Sequence, residues 1–226
     1  MNVGITVFPG SNCDRDIKRV VDQTLKTCSR FYWHKKNLPS NVDVVIIPGG
    51  FSYGDYLRPG IIASHSPIIK SIKKLAKKKT PILGICNGFQ ILLESNLLPG
   101  TLLKNTTLSF VCKWTNIVVH NVNTPFTNQL KLYQKIPISI ANGEGRYYVD
   151  SETLTSMKKN DQIVFKYEND SNNSIYNIAG VCNEDMNVVG MMPHPERAAE
   201  YEINPIDNKP SLSIFASILN QFNIEN

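Results

Sequence analysis

The sequence predicts an α/β fold: a doubly wound, mostly parallel sheet flanked by helices, with an additional strand-rich insertion. Two observations carry this prediction. Short apolar runs alternate with amphipathic stretches over roughly the first hundred residues, which is the pattern of successive βαβ units. In the middle of the chain, several β-rich runs follow one another with few helical stretches between them.

The predicted strands of the first part end where turn-forming residues begin. Val3–Phe8 stops at Pro9-Gly10, and Val42–Ile47 stops at Pro48-Gly49-Gly50. The continuous apolar run Pro81–Cys86 is typical of a strand buried on both faces of a parallel sheet. The other predicted elements here are a strand at Phe31–His34 and helices at Asp14–Leu25, Pro67–Lys79 and Asn87–Glu94.

The second part is predicted to consist mainly of strands. They are Ser109–His120, Pro137–Ala141, Arg146–Val149, Ile163–Tyr167, Ile178–Cys182 and Val188–Met191. The residues 142–145 have turn chemistry, and Asp150 or Ser151 is suited to cap a helix that runs to Lys159. A final helix is predicted from Pro210 to about Phe222. Because no linker or repeat interrupts the chain, residues 1–226 are predicted to form a single domain.

Composition excludes several classes of protein. The chain has 226 residues, of which 42% are hydrophobic and 19% charged, as in a globular protein and unlike a disordered one. A net charge of +5 is too small to indicate a nucleic-acid partner. The lysines at 70, 73, 74, 77 and 78 lie on one face of a predicted helix without interleaved aromatic residues, which indicates a solvated face. Apolar runs such as 44–47 are far shorter than the roughly 18 residues of a membrane span, so no membrane association is expected.

Cysteine usage predicts a reducing compartment. The five cysteines are odd in number and widely spaced, which makes a poor disulfide framework. The N-terminus also lacks the basic and apolar regions of a signal peptide, so a cytoplasmic location is expected. No C-x-x-C or His/Cys cluster suggests a zinc site, and we expect no metal.

The segment from Gly84 to Gln90 carries the strongest chemical signal. A buried strand ends in a G-x-C-x-G turn and a helix begins at once, which is the geometry of a nucleophile elbow with Cys86 in place of serine. The thiol is placed at the positive end of a helix, which favours the nucleophilic thiolate. The N–H of Asn87 would face the oxyanion that develops during attack on a carbonyl. The alternative is a buried strand-end cysteine without a catalytic role.

A second segment supplies a base and a group to orient it. His194 precedes a proline, which favours an extended backbone, and in an extended stretch residues two apart face the same way. Glu196 can therefore hold one imidazole nitrogen while the other faces Cys86. Alone, this segment is more often a loop with a surface salt bridge; together with the elbow it indicates nucleophilic catalysis. The glycines of Pro48-Gly49-Gly50 can bring backbone N–H groups close to a ligand, although an ordinary βα turn has the same composition.

Taken together, these segments resemble a known family. The sequence resembles class I (triad) glutamine amidotransferases and, more narrowly, the glutaminase subunits of phosphoribosylformylglycinamidine synthases, from Val3 to about Phe222. The strings that carry the resemblance are Gly84-x-Cys86-x-Gly88-x-Gln90, Phe8–Asp16, Gly49–Arg58, Gly143–Gly145 and Gly190–Arg197.

The resemblance implies a flavodoxin-like fold and a role for individual residues. It implies that Cys86 is the nucleophile, His194 the base and Glu196 the acid that orients it. Gln90 corresponds to a position that contacts substrate glutamine, and the implied oxyanion donors are the N–H groups of Gly50 or Phe51 and of Asn87.

Two residues depart from the family pattern. Asn142 stands where a histidine is expected before the Gly-Glu-Gly turn, and Pro59 follows Arg58 where a cysteine is common. The first departure leaves open what the side chain at the start of that turn does. Neither departure affects the three residues that resemble the triad.

The resemblance also implies partners. Such a protein hydrolyses glutamine and supplies ammonia to a large synthetase subunit of purine biosynthesis. That partner is a carbon–nitrogen ligase, which converts formylglycinamide ribonucleotide to formylglycinamidine ribonucleotide, and a small accessory subunit completes the complex. Because this chain lacks a G-x-x-x-x-G-K-[ST] loop, ATP and magnesium are expected on the synthetase and no cofactor here. The loops Ser11–Asp16 and Tyr53–Arg58 are candidates for docking the partner or for ordering the site, or they only cap strands. A glutaminase serving another synthetase, a peptidase-like relative and a non-catalytic interaction subunit stay open as alternatives.

Overall fold

A nine-stranded mixed sheet forms the centre of the protein. The structure is a computed structural model and describes residues 1–169, 173–200 and 211–223. The strands are β1 (Asn2–Val7), β2 (Cys28–Trp33), β3 (Val44–Ile47), β4 (Ile82–Ile85), β5 (Thr101–Leu103), β6 (Val111–Val119), β7 (Lys135–Asn142), β8 (Arg146–Tyr148), β9 (Ile163–Tyr167), β10 (Ile178–Cys182) and β11 (Val188–Met191). The order in the large sheet is β2-β1-β3-β4-β11-β10-β9-β6-β7.

One half of this sheet is parallel. The strands β2, β1, β3, β4 and β11 pair with their neighbours in parallel. Every residue of β3 and β4 is buried, so both faces of these strands are covered by other parts of the chain. Such burial explains why the two strands read as unbroken apolar runs rather than as an alternating pattern.

The other half is antiparallel and comes from the predicted strand-rich insertion. The strands β10, β9, β6 and β7 continue the sheet outward from β11 through antiparallel pairs. The insertion therefore extends the same sheet. The turn at residues 142–145 does not close a hairpin, because β7 pairs with β6, whereas β8 pairs with β5 in a separate two-stranded sheet.

Six α-helices accompany the sheet in the described residues. They are α1 (Asp14–Arg19), α2 (Ile61–Ser64), α3 (Pro67–Lys77), α4 (Asn87–Glu94), α5 (Ser151–Lys159) and α6 (Leu212–Asn223). In α3 the apolar side chains are buried and the lysines face solvent, as the pattern predicts. At the start of α5 the side chain of Asp150 accepts a hydrogen bond of 2.8 Å from the N–H of Thr153, so Asp150 is the cap.

The differences from the predicted elements are local. The helix predicted over Asp14–Leu25 is α-helical only to Arg19 and continues as a π-helical turn, Val20–Thr24. The sequence does not indicate α2 and β5, because four and three residues are too few to show a period. Pro210, the predicted start of the last helix, lies outside the described residues. None of the described helices is long and apolar enough to cross a membrane.

Candidate active site

Cys86 lies in a strained turn between β4 and α4, as the elbow motif predicts. Its backbone has φ 50° and ψ −107°, a conformation that L-residues rarely adopt and that is most often found at functional sites. A side chain at Gly88 would collide with the carbonyl oxygen of Ile47 on β3, so only glycine permits helix and strand to pack this closely. The thiol is 7% exposed, and its Sγ lies 3.7 Å from the carbonyl oxygen of Ala141.

His194 and Glu196 form a buried pair just after β11. The Nδ1 of His194 lies 2.6 Å from Oε1 of Glu196, and the N–H of His194 donates a 2.9 Å hydrogen bond to the carbonyl oxygen of Ser139 on β7. The predicted extended segment through Glu196 is wrong, because residues 195–198 form a 3-10 turn. Pro195 has a fixed φ that suits the first position of such a turn, and the turn brings the carboxylate back to the imidazole.

The electrostatics of His194 favour the imidazolium. Burial by itself lowers the pKa of this histidine, but the negative charges of Glu196 and Cys86 outweigh burial and hold the pKa well above its ordinary value. The second imidazole nitrogen, Nε2, is buried and makes no hydrogen bond with the part of the chain that the structure describes. It is therefore the nitrogen available to the thiol and to a leaving group.

Gly49 shows how closely the nucleophile and the histidine approach each other. A Cβ at this position would lie 2.8 Å from Cε1 of His194 and 3.3 Å from Cβ of Cys86. The backbone of the loop after β3 therefore contacts both residues at once, and any side chain would displace the imidazole. From the sequence, Gly49 is only one member of a glycine-rich turn.

The two oxyanion donors that the sequence leaves open in this loop are distinguished by their hydrogen bonds. The N–H of Phe51 donates to the carbonyl oxygen of Gly10 at 3.1 Å, so it is occupied. The N–H of Gly50 has no such partner among the backbone hydrogen bonds of the described loops. An added Cβ at Gly50 would lie 2.6 Å from the N of Asn12, so the Ser11–Asp16 segment packs directly beneath the loop and supports it.

The side chain of Asn87 connects several parts of the site, although the sequence assigns a role only to its backbone. Its Oδ1 accepts a 3.1 Å hydrogen bond from the N–H of Ser52, and its Nδ2 donates to Oε1 of Gln90 at 2.9 Å and to Oδ1 of Asp55 at 3.4 Å. Gln90 in turn donates from Nε2 to the carbonyl oxygen of Glu144 at 2.9 Å. This network fixes the first turn of α4 against the loops on either side.

These residues surround a cavity of about 330 Å³, a size that suits a small ligand. Its lining includes Cys86, His194, Gly50, Phe51 and Gln90. A larger cavity of about 720 Å³ lies near the end of α4, but none of the candidate catalytic side chains lines it.

The structure adds cavity residues that the sequence does not single out individually. They are Asn12, Asp55, Phe110, Cys112, Ala141, Gly143, Glu144 and Arg197. Burial, together with the nearby charge of Glu144, raises the pKa of Asp55 to about 6. A signal is present in the sequence, because Asp55 belongs to the Gly49–Arg58 string, but nothing in that string points to its side chain.

Both residues that depart from the family pattern also line the cavity. The carboxamide of Asn142 is buried, and neither its Nδ2 nor its Oδ1 finds a hydrogen-bond partner among the residues described. It lies against Gly145 at the end of the turn. Pro59 is buried beside the loop that carries Asp55.

The other cysteines differ from Cys86 in their surroundings. All five are free, Cys28 and Cys112 are exposed, and burial raises the pKa of Cys182 to about 12. Cys13 is buried near the His194–Glu196 pair, and its Sγ lies 3.3 Å from Nη2 of Arg197. Its sulfur and the side chains of His194 and Glu196 have potential metal-ligating atoms within 4.8 Å of one another. In the described structure, however, Nδ1 and Oε1 of the last two are joined by a hydrogen bond.

Comparison with known proteins places this geometry in a family. The model of the CobB/CobQ-like glutamine amidotransferase domain matches residues 1–221. The phosphoribosylformylglycinamidine synthase subunit PurQ of Koribacter versatilis is 48% identical over 216 residues, which cover 92% of this chain and 94% of that protein. The subunit PurQ of Salinibacter ruber is 46% identical over 230 residues, which cover 98% of this chain and 97% of that protein.

The chain belongs to the PurQ family of glutamine amidotransferases. A solved structure of PurLQS from Thermotoga maritima contains a chain similar to this PurQ-family protein, with a TM-score of 0.87, 42% identity and coverage of 98% of both chains. Another glutamine amidotransferase of Thermotoga maritima shares only the fold, with a TM-score of 0.58 and 15% identity over 100% of this chain and 83% of that one. The fold class and the resemblance predicted from the sequence are both confirmed.

Proposed function

We propose that this chain hydrolyses glutamine to glutamate and ammonia through a γ-glutamyl thioester on Cys86. The observation that carries the proposal is the position of a strained elbow cysteine beside the buried His194–Glu196 pair in one small cavity. Membership of a glutamine amidotransferase family names the substrate class. These three residues are the constellation that nucleophilic acyl transfer by a thiol requires.

In the first half-reaction, the Cys86 thiolate attacks the carbonyl carbon of the side-chain amide. The N–H groups of Asn87 and Gly50 stabilise the oxyanion of the tetrahedral intermediate, and His194 donates its proton to the amide nitrogen. The C–N bond then breaks, ammonia leaves, and the thioester remains. Gln90 contributes to holding the substrate, since it lines the cavity and its amide is fixed by Asn87 and Glu144.

In the second half-reaction, water attacks the thioester and His194 accepts a proton from it. The C–S bond breaks, glutamate leaves, and the thiolate and imidazolium are restored. Glu196 orients the imidazole throughout, because its Oε1 is hydrogen-bonded to Nδ1.

The ammonia is passed to a large synthetase subunit in a complex that a small accessory subunit completes. The name of the PurQ relatives and the PurLQS structure support this partner, and the relatives are named as subunits of phosphoribosylformylglycinamidine synthase. We therefore propose that the complex converts formylglycinamide ribonucleotide to formylglycinamidine ribonucleotide, with ATP and magnesium on the synthetase. This chain acts as a single domain over residues 1–226 and in the cytoplasm.

The segment Tyr53–Arg58 is proposed to dock the synthetase near the entrance of the cavity. Leu57 is 92% exposed and Tyr56 is 73% exposed, so two large apolar side chains are directed to solvent next to the loop that forms the site. Tyr53, Asp55 and Leu57 all have positive φ values between 55° and 66°, a strained backbone of the kind that is retained for function.

The test measures glutamate release from glutamine by the isolated chain and by the complex reconstituted with synthetase, accessory subunit, nucleotide and substrate. We expect release that increases on assembly, and none from a complex carrying Cys86→Ala. Release of glutamate by the Cys86→Ala complex would contradict the assignment of the nucleophile. Turnover of peptides or esters in preference to glutamine would contradict the assignment of the substrate. Activity that is complete without the partner would contradict only dependence on assembly.

A further inference from the structure

Two carboxyl groups from distant parts of the chain line the cavity that holds Cys86. Asp55 comes from the loop after β3, and Glu144 comes from the turn after β7. Their charges interact, since Glu144 contributes to the raised pKa of Asp55. Neither carboxyl group forms an ion pair within the described residues.

The side chain of Asp55 and the backbone of Glu144 are both held by the first turn of α4, which follows Cys86. Asp55 Oδ1 lies 3.4 Å from Nδ2 of Asn87, the residue that follows Cys86. The backbone of Glu144 is fixed by the 2.9 Å hydrogen bond from Gln90. A substrate whose amide carbon is at the thiol therefore lies in a cavity lined by both acids. Arg197 lines the same cavity, but it forms no ion pair with either acid within the described residues.

Glutamine carries one positively charged group, its α-ammonium. Two methylene groups separate the α-carbon that bears it from the amide carbon that is attacked. We propose that Asp55 and Glu144 bind this α-ammonium and thereby make the site selective for the free amino acid. This inference rests on the proposed glutaminase function. Partly desolvated carboxylates that repel each other are stabilised when a cation lies between them, so the pair is arranged to receive the ammonium group.

A purely structural role for Asp55 predicts a different behaviour. If the carboxyl group only held the strained loop, its loss would impair every substrate equally, whether or not the substrate carried an ammonium group. Asparagine tolerates the left-handed backbone at this position, where φ is 55°, so Asp55→Asn removes the charge without adding backbone strain. Glu144→Gln likewise removes the negative charge of the second acid and keeps the size of its side chain.

The experiment compares L-glutamine with 4-carbamoylbutanoate, which has the same amide and carboxylate but lacks the ammonium group. Steady-state kinetics are measured on the reconstituted complex of wild type, Asp55→Asn, Glu144→Gln and the control Asp185→Asn. Asp185 is exposed, lies in a different cavity and pairs with Lys79, so its variant makes the same charge change elsewhere. Alkylation of Cys86 by iodoacetamide, which also lacks an ammonium group, reports whether the thiol is intact.

We expect each acid variant to raise the KM for L-glutamine by roughly 10- to 100-fold, the effect of one hydrogen bond to a charged group, with kcat changed little. The KM for 4-carbamoylbutanoate and the alkylation rate should stay within about twofold of wild type, and Asp185→Asn should change nothing. Equal losses for both substrates, or an unchanged KM for glutamine in both acid variants, would overturn the inference. If wild type released no glutamate from glutamine at all, the proposed function itself would fail.

Discussion

The two halves of the sheet differ in what they contribute to the cavity. In the parallel half, the elbow after β4 carries Cys86, the segment after β11 carries His194 and Glu196, and the loop after β3 carries Gly50. The antiparallel half supplies the wall: Cys112 on β6 and Ala141 on β7 are paired in register and line the same cavity. The carboxyl ends of parallel strands lie at the same edge of a sheet, so the loops that follow them bring their side chains together there.

The antiparallel half also positions a group that belongs to the other half. The carbonyl oxygen of Ser139 on β7 accepts the hydrogen bond from the backbone of His194. The carbonyl oxygen of Ala141 lies 3.7 Å from the thiol. If the proposed function holds, the parallel half carries the reacting groups and the antiparallel half encloses the substrate. Three predictions test this division, and a fourth tests the electrostatics of Asp55 in the parallel half.

The largest effect is expected for Cys86→Ala, which should reduce glutamine hydrolysis by at least about 10⁴-fold, because the variant lacks the elbow thiol that is proposed to form the thioester. Steady-state glutamate release from the complex measures this loss, and a glutamine-like electrophile should no longer label the chain. Cys28→Ala is the matched control. Cys28 is exposed and does not line the cavity, so a loss of less than about twofold is expected. Labelling that mapped to Cys13, Cys28, Cys112 or Cys182 would contradict the assignment.

The next largest effect is expected at the buried pair. His194→Ala should lower kcat nearly as far as Cys86→Ala, whereas Glu196→Gln should cost less yet still be severe, because members of a triad act as a unit. Since Glu196 acts through the imidazole, the double variant should be no slower than His194→Ala alone. Losses that multiplied in the double variant, measured as kcat/KM, would show that the two residues act independently.

A smaller effect is expected in the antiparallel half. Phe110 and Phe51 both line the cavity, with their ring centroids 6.2 Å apart, and apolar contact with one such ring contributes about 1 kcal/mol to holding a ligand. Phe110→Ala should therefore raise the KM for glutamine about fivefold and leave kcat of the complex nearly unchanged. A reduction of kcat as large as that caused by His194→Ala would contradict the assignment of different roles to the two halves of the sheet.

The smallest effect concerns stability and not rate. Because the pKa of Asp55 is raised to about 6 in the folded chain, the ionised carboxylate destabilises the fold above that pH. Asp55→Asn should therefore increase the free energy of unfolding at pH 7.5 by about 1 kcal/mol, after allowance for the half-exposed side chain, or roughly 2–4 °C in Tm.

The sign of this effect can be checked by thermal unfolding across pH. As the pH falls from about 6 to below the ordinary pKa of 3.8, Asp55 becomes protonated in both states, and the advantage of the variant should disappear. Asp185→Asn should show no such pH-dependent gain. An advantage that grew in acid would contradict the direction of the shift.

The sequence by itself determined the family, the fold class and the bounds of several elements in both halves of the sheet. The G-x-C-x-G turn implies an elbow because its glycines and the adjoining apolar strand act within a few residues, and the predicted bounds of α4, β9, β10 and β11 agree with the structure at both ends. Local steric requirements and hydrophobic periodicity depend only on residues that are close in sequence, so they can be predicted from a single sequence.

Only the tertiary structure decided which distant groups meet. The approach of His194 to Cys86 around Gly49, the occupation of the Phe51 N–H by Gly10 and the convergence of Asp55 with Glu144 each depend on how separate strands pair. The joining of the insertion to the parallel sheet, through β10 and β11, depends on it as well. Strand pairing and packing are long-range interactions, and no spacing along the chain encodes the distances they create.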